Sequence, residues 1–319
     1  MDKIIVGTRG SQLALRQTEE VIQQLREIHP SKEFIIKKIK TKGDKILDSP
    51  LSKIVARGDY SKGLFTKEIE DTLLRKEIDL AVHSMKDLPT DIPQGLTLAA
   101  VTKRELVDDV LISRDGLRFN DLPQGARIGT SSLRRKAQLL VLRPDLEIVD
   151  IRGNLNTRIR KLMTGVPQPL DAIIVAYAGL KRMGWEDKVT EVLSFILPAA
   201  GQGAIGIEIR DEGRETRDEE IKEMVSRLND EETATCIQAE RTFLKTLGGG
   251  CQIPIGIKST IVGQPSTLDG FQADKKMLIL EGIVLSPDGR NWYRDKISGP
   301  TEEAIGLGRK LAEKLISLG

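Results

Sequence analysis

Histidine and cysteine are almost missing from this chain. Its 319 residues include two of each: His29, His83, Cys236 and Cys251. A disulfide framework needs more thiols than that. A zinc site needs nitrogen and sulfur ligands at a recognisable spacing, and no such spacing is present. Aromatic residues make up 3%, so the cores must rest on Ile, Leu, Val and Ala. The formal charge is only +2, from 49 basic and 47 acidic residues. That excludes a general polyanion binder and leaves anion recognition to local clusters. No apolar run approaches the ~20 residues of a membrane span. Neither a P-loop nor a GxGxxG after a strand occurs; "LPAAGQGAIG" (197–206) has the glycines at the wrong spacing and reads as a hinge or tight turn. The opening "MDKIIVGTRG" begins a strand pattern at once, without a signal-peptide layout. The expectation is a cytoplasmic, metal-free protein.

What remains is strongly patterned. "KIIVGTR", "EFIIKKIKT" and "IDLAVHS" read as strands, separated by the amphipathic stretches "SQLALRQTEEVIQQLREI" and "KGLFTKEIEDTLLRKE". Ser11 is placed to cap the first of these helices, with Leu13, Val21 and Leu25 on one face. This β-α-β-α-β order predicts a mostly parallel sheet with helices on its faces. The pattern restarts around Asp108 with "DVLISR", "ARIGTSS", "EIVDIRG" and "DAIIVAYAG". A late strand, "AIGIEIR" (204–210), is placed to return to the first sheet. Two α/β lobes joined by crossing segments would enclose a cleft, the usual place for a ligand. Beyond about residue 218, two charged helices, a three-part meander and a last helix from about Thr301 predict a small α+β domain.

The chemistry concentrates at strand ends. "IGTSSLRRKAQLL" runs from a strand through Thr130 and Ser132 into a helix whose first turn carries Arg134 and Arg135. A helix start offers free N–H groups to an anion, whereas arginines there oppose the helix dipole. That conflict favours an anion site over a merely capped helix. "DIRGNLNTRIRKL" repeats the layout with Arg152, Arg158 and Arg160; "GTRGSQLALRQ" does so with Arg9, Ser11 and Gln17; "AGLKRMG" adds Lys181 and Arg182. In an open α/β sheet the carboxyl ends of the strands border the ligand crevice. Arginine forks there suit a ligand with many carboxylates. In "IDLAVHSMKDLPT" a buried strand leads into Ser84, Lys86 and Asp87. An Asp in an arginine-lined cleft stays ionised and can stabilise a transient cation or relay a proton. This stretch alone allows equally a turn Asp beside a solvated Lys. His83 reads as a satisfied structural histidine. In "LGGGCQIPIG" a rare thiol, Cys251, follows three glycines, presented rather than packed. No histidine lies near it in sequence, which argues against a protease-type nucleophile.

Together "TRGSQLALRQ", "KGLFTKE", "AVHSMKDLPT", "GTSSLRRKAQL", "RGNLNTR", "AGLKRMG", "LPAAGQGAIGIE", "AERTFLKTLGGGCQIPIG" and "SPDG" resemble the porphobilinogen deaminase (hydroxymethylbilane synthase) family of tetrapyrrole biosynthesis, across nearly the whole chain. The resemblance implies two α/β lobes of periplasmic-binding-protein type and a small C-terminal α+β domain. The expected division is 1–107 with 198–217, then 108–197, then 218–319, with a mobile lid at about 48–63. It implies a transferase that condenses four porphobilinogens head to tail, losing ammonia at each step, and then releases hydroxymethylbilane with water. The chain would grow on a dipyrromethane cofactor joined by a thioether to Cys251. Asp87 matches the catalytic aspartate. Ser84, Lys86, Asp87, Thr130, Ser132, Arg134 and Arg135 match cofactor-binding positions. Arg9, Ser11, Gln17, Arg152, Arg158 and Arg182 match substrate-binding ones. Porphobilinogen is the implied partner, with no nucleic acid or membrane, and a monomer is the usual form. Three features depart from the pattern: a lid segment some residues longer (54–61), Tyr177 beside the "AGL" turn, and Gly248 where a polar residue is common. The competing reading is a non-catalytic polycarboxylate-binding protein on a two-lobed fold, which would need neither Cys251 nor Asp87.

Overall fold

The computed structural model describes residues 3–45, 63–211, 216–249, 253–263 and 276–319. Most of the expected lid, and Cys251 itself, lie outside the described residues. Helices and strands follow the sequence pattern closely. Strand β1 (Lys3–Arg9) runs into helix α1 (Gln12–Ile28), whose cap is Ser11: its side chain accepts from the Ala14 N–H at 3.2 Å. Val21 and Leu25 are buried beneath it, as the 3.6-residue period requires. Strand β2 (Glu33–Ile39), the short α2 (Lys42–Lys45), α3 (Lys67–Leu74), β3 (Leu80–Ser84) and β4 (Leu96–Val101) follow. The first sheet has the order β2-β1-β3-β10-β4, and β10 (Ile205–Arg210) is the late strand, returning antiparallel between β3 and β4.

The second sheet has the same plan. Its elements are β5 (Asp109–Ser113), β6 (Arg127–Gly129), α4 (Leu133–Leu142), β7 (Glu147–Val149), α5 (Leu155–Thr164), β8 (Ala172–Ala176), α6 (Tyr177–Arg182) and β9 (Glu191–Leu193). The order is β7-β6-β8-β5-β9, and β5 is the strand antiparallel to both its neighbours. Each sheet therefore takes one antiparallel strand from a crossing segment, as the two-lobed binding-protein fold does. Strands β4 and β9 go beyond the sequence reading: both are short edge strands, and β9 has only three residues. Tyr177 opens α6 partly buried against the second sheet's core.

All six residues of β10 are buried, including Glu208 and Arg210. Buried charges survive only with partners. Glu208 meets His83 at 3.1 Å, so His83 is the satisfied structural histidine expected. Arg210 donates to Asp218 and to the carbonyls of Leu73 and Ile78.

Helix α7 (Thr216–Ser226) straddles the boundary expected at 217/218. Its buried residues Ile221, Met224 and Val225 join Ile4, Val6 and Ile207 in the core of the first sheet. The physical reason is its apolar face: uncovered, it would leave one side of that sheet exposed.

The third unit consists of α8 (Glu231–Thr246), β11 (Ile255–Gly263), β12 (Lys276–Leu285), β13 (Trp292–Pro300) and α9 (Ala304–Ser317). Its antiparallel sheet, ordered β11-β12-β13, packs on both helices. Phe243 of α8 is fully buried over Gly282, where a Cβ would come within 2.6 Å of the ring. Such a ring contributes about 3–5 kcal/mol. Gly248, just past α8, has φ +65, a left-handed helix ending that glycine adopts without strain.

Candidate active site

The first lobe delivers its groups from one turn. Strand β3 ends at Ser84, and Met85–Asp87 form a single 3-10 turn. Met85 and Leu88 are buried at its two ends, and the Met85 N–H donates to the Ala204 carbonyl at 3.0 Å. With these residues anchored, Ser84, Lys86 and Asp87 are left for the site. The Ser84 hydroxyl donates to Gln17 Oε1 at 2.9 Å, joining two predicted site residues. Asp87 Oδ2 lies 3.6 Å from Arg9 Nη1. Arg9 also donates to Asp44 Oδ1 at 2.6 Å, and its guanidinium carbon stands 4.3 Å from the centroid of the Phe65 ring. One arginine thus bridges two carboxylates over an aromatic face. Burial works against the Asp44 charge, but the bond and charge of Arg9, with help from Thr41, keep this carboxyl below its ordinary pKa.

The second lobe contributes the start of α4. Ser132 caps it: its Oγ accepts from the Arg135 N–H at 3.4 Å, and its own N–H donates to Thr130 Oγ1 at 3.2 Å. The two arginines of the first turn are not left facing the dipole. Arg134 Nη1 lies 2.8 Å from Asp109 Oδ2, and Arg135 Nη2 donates to Asp109 Oδ1 at 2.6 Å. Arg134 also donates to the Leu197 carbonyl and Arg135 to that of Ile174. All three side chains are buried. Burial pushes the Asp109 carboxyl up, and the two guanidiniums more than reverse that, holding it well below the usual range. Gln202, on the return segment, donates to Asp109 Oδ1 at 2.9 Å and to the Val107 carbonyl at 2.7 Å. The two crossing segments are therefore tied together at this carboxylate.

Lys86 stays accessible to solvent, though its ammonium has much protein around it. Its pKa is pushed down to about 8, first by lost hydration and then by Arg135, with Asp87 and Asp109 opposing. Arg158 is pushed down to about 10 by burial, then by Arg135 and Arg152, with Asp87 opposing. It donates through Nε to the Gly153 carbonyl at 2.8 Å. Burial lowers Arg152 against the pull of Asp150. The charges of Arg135 and Arg134 thus bear on Lys86, and that of Asp87 on Arg158.

Two expected residues have other neighbours. Ser11 serves as the α1 cap. Arg182 donates to Glu20 Oε2 at 3.0 Å and to the Gly203 carbonyl at 3.1 Å, tying α6 to α1 and to the return segment. Cys236 is buried, and burial raises its thiol pKa. Asp109, Asp44 and Phe65 are site residues that the sequence reading missed. For Asp109 a signal existed: an acidic residue heading the fully apolar run "VLI" needs a cationic partner if it is buried. For Asp44 and Phe65 the sequence carries no such signal. Among the described residues no helix is long and apolar enough to cross a membrane, and no group of three His, Cys, Asp or Glu is placed to hold a metal ion.

Known proteins resemble this arrangement along the whole chain. Residues 4–218 match the family model described as "Porphobilinogen deaminase, dipyromethane cofactor binding domain", and residues 234–317 match "Porphobilinogen deaminase, C-terminal domain". The porphobilinogen deaminase of Carboxydothermus hydrogenoformans is 51% identical over 99% of this chain and 94% of its own. That of Pelotomaculum thermopropionicum is 48% identical over the same shares. Among solved structures, CbnR, a LysR family transcriptional regulator, is similar with a TM-score of 0.43 and 13% identity over 72% of this chain and 70% of that one, too distant to bear on function. The chain belongs to the porphobilinogen deaminase family.

Proposed function

We propose that this chain is a transferase, a hydroxymethylbilane synthase that joins four porphobilinogen molecules head to tail with loss of ammonia. The observation that carries this reading is the pairing of Asp87 with Arg9 in one lobe together with the buried Arg134–Asp109–Arg135 cluster of the other, which Gln202 ties to the return segment. Arg9, Lys86, Arg134, Arg135, Arg152 and Arg158 are six cations; Asp44, Asp87, Asp109 and Asp150 are four carboxylates, so two positive charges remain. Among the described residues Arg9 Nε and Arg135 Nε are buried donors without a partner. A surplus of cations with spare donors suits a ligand of several carboxylates, and a pair of pyrroles each bearing an acetate and a propionate is one.

Cys251 would hold the dipyrromethane, which would supply a nucleophilic pyrrole end; Lys86, Arg134, Arg135, Thr130, Ser132 and Ser84 would bind its carboxylates and fix its orientation. Arg9, Ser11, Gln17, Arg152, Arg158 and Arg182 are assigned to the substrate side. Loss of ammonia from porphobilinogen leaves a cation, and Asp87 would face that charge, stabilise it and move the pyrrole N–H proton. A neutral amide there would keep a hydrogen bond and lose the field. We assign residues 1–107 with 198 to about 228 to the first lobe, 108–197 to the second and the remainder to the third domain, and we expect a cytoplasmic monomer. A non-catalytic polycarboxylate binder would have no use for an aspartate at 87 beside Lys86.

Intact-protein mass tests the reading. Protein made with porphobilinogen available should exceed its sequence mass by a two-pyrrole adduct, and Cys251→Ser should remove the excess. Asp87→Asn should keep the fold and the adduct while nearly abolishing turnover. An unmodified mass in the wild type would overturn the enzyme reading, and near-normal turnover in Asp87→Asn would overturn the role of that carboxylate.

A further inference from the structure

Helix α8 lies outside the arginine cluster, yet one stripe of it is seated on the turn that presents Asp87. Ile237, Arg241 and Lys245 recur every four residues and so share a face. Ile237 is buried in one cluster with Met85 and Leu88, the residues that anchor the ends of that turn. One helical turn on, Arg241 reaches across about 150 residues of sequence. Its Nη1 donates to the Leu88 carbonyl at 3.2 Å, and its Nη2 donates to the carbonyls of Pro89 at 2.6 Å and Thr90 at 3.1 Å. A further turn on, Lys245 pairs with Asp91 at 2.7 Å. Burial lowers the Arg241 pKa, with Glu208 and Asp91 opposing, and its hydrogen bonds go to carbonyls rather than to a carboxylate. A guanidinium spent on three successive carbonyls fixes backbone: its planar fork sets the direction of each C=O, and with them the peptide planes that follow Asp87. The same helix ends at Thr246, and Cys251 follows five residues later.

We propose that Arg241 is a positioning residue for the reaction: it locks the 88–90 turn, and so the Asp87 carboxylate, to the helix that leads to the cofactor-bearing thiol. The proposal rests on the deaminase reading. Misplacement of a reacting group by about 1 Å costs up to about a hundredfold in rate, so a clamp of this kind would be felt in turnover before binding. Lysine at 241 keeps the charge and the apolar stem but cannot span three carbonyls.

The test uses the full-length, dipyrromethane-loaded protein, with turnover divided by the loaded fraction read from intact mass. In Arg241→Lys, kcat per loaded molecule should fall about tenfold to a hundredfold, with KM for porphobilinogen within about twofold. Amide hydrogen exchange should quicken in peptides covering 85–91 and stay unchanged in the two sheets. In an Asp87→Asn background, Arg241→Lys should cost little more in single-turnover rate, because it acts through that carboxylate. A merely structural arginine would lower the loaded fraction or the melting temperature and leave kcat per loaded molecule at the wild-type value. That result, or full additivity with Asp87→Asn, would overturn the proposal. Wild-type protein with neither adduct nor turnover would instead overturn the deaminase reading itself.

Discussion

Glu240 offers the sharpest test of how the three units are held together. It is fully buried on α8 and accepts four hydrogen bonds: from Arg104 Nη1 at 2.6 Å and Nη2 at 2.9 Å, from the Ser259 hydroxyl at 2.5 Å, and from the Gly201 N–H at 2.8 Å. Arg104 lies on the segment leaving the first sheet, Gly201 on the return segment, and Ser259 in the third sheet. Arg104 also donates through Nε to the Gln202 carbonyl at 2.8 Å. Gly201 has φ +75, and a Cβ there would sit 2.9 Å from that of Met85, so neither the return turn nor its neighbour has room to shift. In Glu240→Gln one acceptor oxygen becomes an NH2 facing two donors, and the Arg104 guanidinium keeps its charge in a nearly dry site. Removing one partner of a buried ion pair costs roughly 3–5 kcal/mol. Against a total stability of about 5–15 kcal/mol, that is a large part. At about 2–4 °C per kcal/mol for domains somewhat smaller than this chain, the melting temperature should fall by about 6 °C or more. Calorimetry and urea unfolding would measure it. The pairing also predicts that Arg104→Met together with Glu240→Leu is less damaging than Glu240→Gln alone, because no charge is stranded. A loss under about 1 kcal/mol in Glu240→Gln, or a double variant worse than the sum of its singles, would refute the reasoning.

Further expectations concern charge at the site. Lys86 should titrate near 8, against 10.5 for an ordinary lysine; carbon-13 NMR of reductively methylated protein in the cofactor-free Cys251→Ser variant would show it, and a value near 10.5 would remove the crowding argument. The sign for stability follows: between these values the unfolded chain binds more protons, so this group's contribution rises with pH across that window. Asp109→Asn should release Arg134 and Arg135 from their shared anchor and place two buried guanidiniums side by side. We expect reduced stability and a lowered yield of adduct-bearing protein by intact mass, and wild-type values of both would show that the pair needs no counter-charge.

The strands and helices were largely legible because apolar period and cap chemistry are local. Ser11, Ser132 and Asn154 each cap the helix that follows them, and Asn154 accepts from the Thr157 N–H at 3.0 Å. The returning β10 was legible too, as a buried run with no sheet of its own nearby in sequence. Helix α7 was legible as a helix but its packing partner was not: its acidic "DEEIKE" resembles α8 in composition, and only tertiary packing decides which sheet receives Ile221 and Met224. The arginines were legible as strand-end cations, but their partners were not. Asp109 lies 25 residues before Arg134 and Glu240 lies 136 after Arg104, separations at which residue spacing carries no information.

Those hidden partners explain why so many cations can sit together. An uncompensated cluster of buried guanidiniums would raise the energy of the folded chain by mutual repulsion and lost hydration. A fully neutralised cluster would have nothing left for a ligand carboxylate. The structure lies between these limits: Asp109 serves two arginines at once, and Asp44 and Asp87 share Arg9. Each anchor is a fixed carboxylate that also orients the forks it neutralises, so a ligand meets donors already aimed. Arg158 and Lys86 stand apart from these pairs, Arg158 donating to the Gly153 carbonyl and Lys86 lying bare of any such bond among the described residues. Lys86 has two opposing aspartates but no ion pair within bonding distance among the described residues, and it is the cation whose pKa falls furthest toward neutrality. A carboxylate arriving beside it should therefore raise its pKa. Ligand binding at Lys86 would then take up a fraction of a proton above about pH 8, and calorimetric binding in two buffers of different ionisation enthalpy would read that uptake directly. With the Cys251→Ser protein and a soluble pyrrole dicarboxylate as the probe, buffer-independent heats at pH 8.5 would show that the ligand's charge never reaches Lys86.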